Sequence, residues 1–256
     1  MALPLDYEGI LKLILDIGAQ MVISGGEVSR VEESIQRMCA SYGATDINVF
    51  IITSNIQVTI KAGDGRMLTQ IRRIKGYDAN FDRLDYLNDL CRYICNYTPD
   101  IQEIRRRYRE ILNRPPQHPL AVYVAAVMAA GGFAAFFGGS IMDCICAAIM
   151  GMAIMYMKKK LSTYETNQIA SNFVLSVIGG VIAILLVRLG IGNNEGYIMI
   201  GGIMLLIPGI ALTNGVRDML TGDTASGLLR LVDSILVAGA IASGFAFTIL
   251  VLGGLL

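Results

Sequence analysis

The second half of this 256-residue chain keeps few ionisable residues, and they are clustered. Pro119 to Leu256 holds six Lys/Arg and six Asp/Glu, against fifteen of each from Met1 to His118. The longest polar stretch is PGIALTNGVRDMLTGDTASGLLR, Pro208 to Arg230, with Asp233 just beyond. A guanidinium at Arg217 or Arg230 can grip a carboxylate by charge-assisted, bidentate hydrogen bonds. A carboxylate at Asp218, or at Asp143 in GGSIMDCIC, can carry a proton or meet an ammonium group. Pro208-Gly209 interrupts the helical ladder, and Asn214 adds a neutral donor and acceptor. Asp223, in TGDTASG, suits a helix cap, and Arg230 with Asp233 makes an i,i+3 pair. A simpler reading also stands: Arg217 and Arg230 as positively charged interfacial anchors, with Asp218 and Asp233 as their partners.

The elements that must position these groups are apolar. Over the whole chain 54% of residues are hydrophobic, with 28 Gly and 13 Met, and the mean hydropathy is +0.55. Crossing a hydrocarbon core takes about 17–25 apolar residues. Five runs qualify: Pro119 to Phe137, Ile141 to Met157, Ile169 to Leu189, Tyr197 to Thr213 and Leu231 to Leu252. Broken backbone at membrane depth is tolerated only where protein or a wet cavity receives it, so Pro208-Gly209 marks a candidate translocation site in the fourth run. Arg105 to Arg109 (RRRYR) with Arg114, Lys158 to Lys160, and Arg217 with Arg230 all fall on one side of the resulting topology. That side is expected to be cytoplasmic, which leaves the C-terminus outside.

Residues 1–114 are expected to form a small cytoplasmic α+β domain, 115–118 a proline-rich joint, and 119–256 the five-helix membrane domain. The fold class is therefore a polytopic α-helical membrane protein with five transmembrane helices preceded by that domain. Ile10, Ile14, Ile17 and Met21 stripe a first helix; Val28, Val31, Ile35, Met38 and Tyr42 stripe a second, and the two meet at Ser24-Gly25-Gly26. INVFIIT, IQVTIKA and MLTQIRRI read as strands, the last two joined by a GDGR turn. Two further helices carry Leu84, Leu87, Cys91 and Ile94, then Ile101, Ile104, Tyr108 and Ile111. GGEVSRVEE has two readings. Glu33 with Arg37 makes an ordinary i,i+4 pair beside a glycine-ended helix, or Glu27, Arg30 and Glu32 form a cytoplasmic gate. Glu165 and Asn167 read as loop or cap residues. No cleavable signal peptide is expected in Met1 to Ala44, which lacks a continuous apolar core.

Three motifs together, GGEVSRVEESI, FFGGSIMD and IPGIALTNGVRDMLTGDTASGLLR, resemble the threonine/serine exporter family of bacterial membrane proteins. The resemblance runs over nearly the whole chain and implies a secondary exporter in the inner membrane, driven by protons without ATP. The implied substrates are amino acids such as threonine and serine, or a dicarboxylate such as succinate. Long family members carry a second membrane half that is missing here, so a smaller partner subunit, or a homo-oligomer, is implied. The resemblance extends to Asp223 and leaves room for the Glu27, Arg30 and Glu32 gate.

Two other classes are weaker. An enzyme would need a convergent nucleophile, base and orienter, or a metal set. The lone histidine, His118, lies between prolines, GDGR lacks the Lys-Ser/Thr of a phosphate loop, and Cys91 and Cys95 have no second pair to complete a zinc site. No metal, cofactor or nucleic-acid partner is expected. A sensor or assembly subunit would not need five spans with a broken helix and small-residue faces such as Gly131-Gly132 and Gly179-Gly180.

Overall fold

The computed structural model describes residues 6–115, 117–161 and 167–252. Glu165, Pro116 of the joint and the last four residues lie outside them. The chain divides into two compact units, Met1–Pro115 with Ile210–Leu231, and Pro116–Gly209 with Val232–Leu256.

In the first unit, α1 (Tyr7–Ile23) starts where the Asp6 carboxylate accepts the Gly9 N–H at 2.9 Å. Its stripe of Ile10, Ile14, Ile17 and Met21 is buried. The helix ends at Ser24, and Gly25 turns the chain at φ +99°, a conformation that disfavours side-chain-bearing residues. This lets α2 (Val28–Ser41) return with Val28, Val31, Ile35 and Met38 fully buried. Burying such a side chain is worth about 1.5–3 kcal/mol, so each residue of the two stripes stabilises the unit on that scale.

Strands β1 (Thr45–Ile52), β2 (Asn55–Lys61) and β3 (Met67–Arg73) form an antiparallel meander. On β2, Ile56, Val58 and Ile60 point inward while Gln57 and Lys61 face out, the alternation of a sheet covered on one face. The β2–β3 turn is closed by Ala62 and Arg66, whose guanidinium also pairs with Asp64 at 2.8 Å. Helices α3 (Phe81–Tyr97) and α4 (Ile101–Leu112) add Leu87, Ile94 and Ile104 to the same core. Arg106 and Arg107 both bond Glu103 on their own helix, which neutralises part of the RRRYR run.

In the second unit, α5 (Pro119–Phe136), α6 (Ile141–Leu161), α7 (Gln168–Arg188) and α8 (Glu195–Leu206) pack through small residues. Ala126, Ala130 and Ala134 on α5 are buried, as are Ala147 and Gly151 on α6 and Gly201 and Gly202 on α8. A Cβ on Gly201 would lie 2.5 Å from the Ala130 carbonyl oxygen, so the helix backbones approach as closely as small residues allow.

Beyond α8 come α9 (Gly209–Leu220) and α10 (Thr224–Leu252). The fourth apolar run is therefore two helices. Ile207 is extended, with ψ at 129°, and Pro208 has no N–H to return to the Met204 carbonyl. The local bend is 58°. Helix α10 begins seven residues before the Leu231 expected from hydropathy, because TASGLLR continues as helix although it is too polar to extend an apolar run. Among the described residues four helices (α5, α6, α7 and α10) are long and apolar enough to cross a membrane, and α8 with α9 makes up to a fifth if the bent pair is one span. This is the helical make-up of a polytopic membrane protein.

Candidate functional site

The first unit brings two distant parts of the sequence to one place. The turn between α1 and α2 presents, in succession, the Gly25 carbonyl, the Gly26 carbonyl and the Glu27 carboxylate, and each is met by a donor from α9 or α10. Asn214 Nδ2 donates to the Gly25 oxygen at 3.0 Å. Arg230 Nη2 donates to the Gly26 oxygen at 3.0 Å. The Arg217 guanidinium pairs with Glu27, whose other oxygen lies 3.4 Å from Arg30 Nε. From the opposite side the turn is held by the Asp78 and Asn80 amides, which donate to the Ile23 and Ser24 carbonyls.

Helical spacing explains which groups turn inward. Asn214, Gly215 and Asp218 form the buried stripe of α9, and Ser226, Gly227 and Arg230 that of the start of α10. The two helices cross at Gly215 and Gly227, where a Cβ on Gly227 would sit 2.5 Å from the Gly215 carbonyl oxygen. This close approach brings Arg230 Nε to 3.3 Å from Asp218 Oδ2, with the two side chains only 6% and 1% exposed. Arg230 thus meets Asp218 across the helix pair, where the sequence suggested Asp233. Neither Asp218 oxygen has a hydrogen-bond donor among the described residues; the Val28 amide faces it without reaching bonding geometry.

Arg217 is largely exposed and pairs with Glu27. Glu32 lies near Asp223, and burial first, then that acidic neighbour, raises its carboxyl above the ordinary range. Asp223 immediately precedes α10 and accepts the Gly227 N–H through its backbone carbonyl at 2.9 Å. Glu27, Arg30, Glu32, Asn214, Arg217, Asp218, Asp223 and Arg230 therefore gather in this unit.

Pro208 and Gly209, where α8 gives way to α9, belong to the second unit, and Asp143 is buried within that unit. Its Oδ1 accepts the Asn193 and Asn194 amides at 2.7 and 2.9 Å; its Oδ2 accepts the Ser140 amide and hydroxyl at 3.0 and 2.7 Å. With the Ser140 hydroxyl accepting the Asp143 N–H, this is a capping box that also ties the start of α6 to the turn before α8.

Three residues of the first site escaped the sequence reading. Ser24 is fully buried, and its hydroxyl has no partner among the described residues. Ser226, one turn before Arg230, donates to the Ile51 carbonyl at 3.3 Å, and its i,i+4 spacing to Arg230 was the available signal. Tyr77 reaches the turn at Gly25; burial pushes its phenol up while the Arg230 charge pulls it down. It lies in an aperiodic segment that gave no signal.

Chemically, the arrangement is a set of amide and guanidinium donors aimed at carbonyl and carboxylate oxygens, backed by a buried carboxylate. Each of those donors is engaged by the α1–α2 turn itself. Among the described residues no group of three or more His, Cys, Asp or Glu side chains converges as a metal set would.

Comparison with known proteins points to one family. A family model described as "Putative threonine/serine exporter" matches residues 12–252. A "Probable threonine/serine exporter" of Mycobacterium tuberculosis (strain ATCC 25618 / H37Rv) is 26% identical over 94% of this chain and 46% of its own length. A "Threonine/serine exporter" of Corynebacterium glutamicum is 24% identical over 92% of this chain and 50% of its own length. The chain thus spans about half the length of these curated relatives. No solved structure matches. With the family model covering almost all of it, from the first amphipathic helix to the end of the last apolar one, the chain belongs to the threonine/serine exporter family.

Proposed function

We propose that this chain is one half of a secondary exporter that moves small polar metabolites out of the cell, amino acids such as threonine and serine first, with a dicarboxylate such as succinate as the alternative cargo. The carrying observation is the convergence at the α1–α2 turn. Groups 189 to 204 positions apart, Gly25, Gly26 and Glu27 with Asn214, Arg217 and Arg230, meet beside the helix that follows the Pro208 break. A simple anchor has no need of buried guanidinium and carboxylate groups there.

In this reading residues 1–114 lie in the cytoplasm, and 119–256 form five spans of the bacterial inner membrane, with 115–118 as the joint and the C-terminus outside. Interrupted membrane helices are where secondary transporters commonly bind their cargo. Asn214 and Arg217 face the cytoplasmic mouth, where Arg217 receives a cargo carboxylate, and Glu27 with Arg30 and Glu32 gates it. The cargo carboxylate and Glu27 then compete for the same guanidinium. Protons supply the driving force. The remaining half comes from a smaller membrane subunit, as the half-length match to the relatives suggests, or from a second copy of this chain.

The test is counterflow in proteoliposomes containing the full chain, with and without a proton gradient and a candidate small partner, for serine, threonine and succinate. Exchange of at least one of them supports the reading. Absence of exchange for all three in every combination overturns it.

A further inference from the structure

Among the described residues two buried carboxylates could exchange a proton, Asp143 and Asp218, and their surroundings differ in kind. Asp143 accepts four hydrogen bonds from three residues, Ser140, Asn193 and Asn194. A proton placed there would displace donors that hold the start of α6 to the turn before α8. Asp218 is as deeply buried, yet its oxygens have no hydrogen-bond donor among the described residues, and its charge is answered by Arg230 at 3.3 Å. Neutralising Asp218 would cost no more than the weak contact from the Val28 amide. It would remove the charge that holds Arg230, the same side chain that binds the Gly26 carbonyl. The charged groups facing Asp218 are Arg230 from α10, Glu27 from the α1–α2 turn and Asp223 from the turn before α10. Glu27 is itself tied to Arg217 and Arg30, and Arg230 faces Tyr77.

We infer that, granted the export reading above, Asp218 and not Asp143 carries the coupling proton, and that its protonation unlatches the α1–α2 turn from α9 and α10. The step balances simply: one proton adds to a carboxylate oxygen of Asp218 and forms an O–H bond, Arg230 keeps its proton and its charge, and deprotonation restores the ion pair. Asp143 is a positioning residue for the second unit.

The experiment measures the latch directly. Spin labels are placed at Glu33→Cys on α2 and Leu220→Cys on α9, both exposed, in the full chain with its five native cysteines replaced by alanine. Distance distributions are recorded in lipid at about pH 4 and about pH 8, the lower of which reaches the ordinary carboxylate pKa. The expected result is a single short distance at the higher pH and a growing longer population at the lower. Asp218→Asn shows the longer population at both, Asp218→Glu keeps a pH response, and Asp143→Asn responds as the parent does. A pH-invariant parent, or a parental response retained in Asp218→Asn or lost in Asp143→Asn, overturns the assignment. If Asp218→Asn does not fold, Asp218→Glu decides, since a flat response there overturns it equally. Counterflow separates the two readings: pH-invariant distances with solute exchange intact sink the proton assignment alone, whereas a pH response without exchange of any solute sinks the export reading.

Discussion

Replacing Arg230 by Met is predicted to be among the most damaging single changes in the first unit. The substitution keeps the length of the side chain but leaves the Asp218 carboxylate, 1% exposed, without its counter-charge, and strips the Gly26 carbonyl of its donor. Removing one partner of a buried ion pair costs about 3–5 kcal/mol, because the remaining charge stays desolvated. Asp218→Leu carries a similar cost from the other side, since the Arg230 guanidinium is left buried without its counter-charge. The double variant Asp218→Leu/Arg230→Met loses both charges together. It should sit only about 1–3 kcal/mol below the parent, the cost of the unsatisfied Gly26 carbonyl. The two single losses are therefore expected to exceed the double loss by several kcal/mol when summed. Guanidinium unfolding of the detergent-solubilised full chain, followed by circular dichroism, gives the four free energies. Additive losses, or an Arg230→Met loss below about 0.5 kcal/mol, would refute the buried pair as described.

Two further predictions concern packing and thiol chemistry. Gly201→Val forces a branched side chain to where even a Cβ lies 2.5 Å from the Ala130 carbonyl oxygen, so it should destabilise the second unit by about 1–3 kcal/mol or more, read as a lower melting temperature in detergent. Cys39 and Cys91, whose thiols burial pushes up to about 12, should resist maleimide at neutral pH in the folded chain while the half-buried Cys95 reacts; mass spectrometry of labelled peptides checks this, and rapid labelling of all three would contradict the core described.

Locally determined features were readable from the sequence. The 3,4 spacing of Val28, Val31, Ile35 and Met38 produced a helix with that face buried, and the alternation in IQVTIKA produced a strand with Ile56, Val58 and Ile60 inward. The break at Pro208 followed from proline chemistry, which acts within one turn. Hydropathy located the apolar helices but placed the start of α10 too late, because it measures polarity and not backbone conformation. The meeting of Gly25, Gly26 and Glu27 with Asn214, Arg217 and Arg230 was not readable. Nothing in a single sequence marks a carbonyl as the partner of a side chain 189 positions away. The same limit explains Arg230. Its i+3 neighbour Asp233 was visible by spacing, whereas Asp218 became its partner only through the close crossing at Gly215 and Gly227.

In the export reading the contact between Glu27 and Arg217 belongs to the path of the cargo. Charge exchange tests it most directly: Glu27→Arg, Arg217→Glu and the double exchange, each assayed for threonine and serine counterflow in proteoliposomes at matched protein levels. Each single exchange is predicted to place like charges face to face and suppress counterflow by tenfold or more (~1.4 kcal/mol or more), with the double exchange recovering a substantial part of it. Parental rates in both single variants would contradict the account.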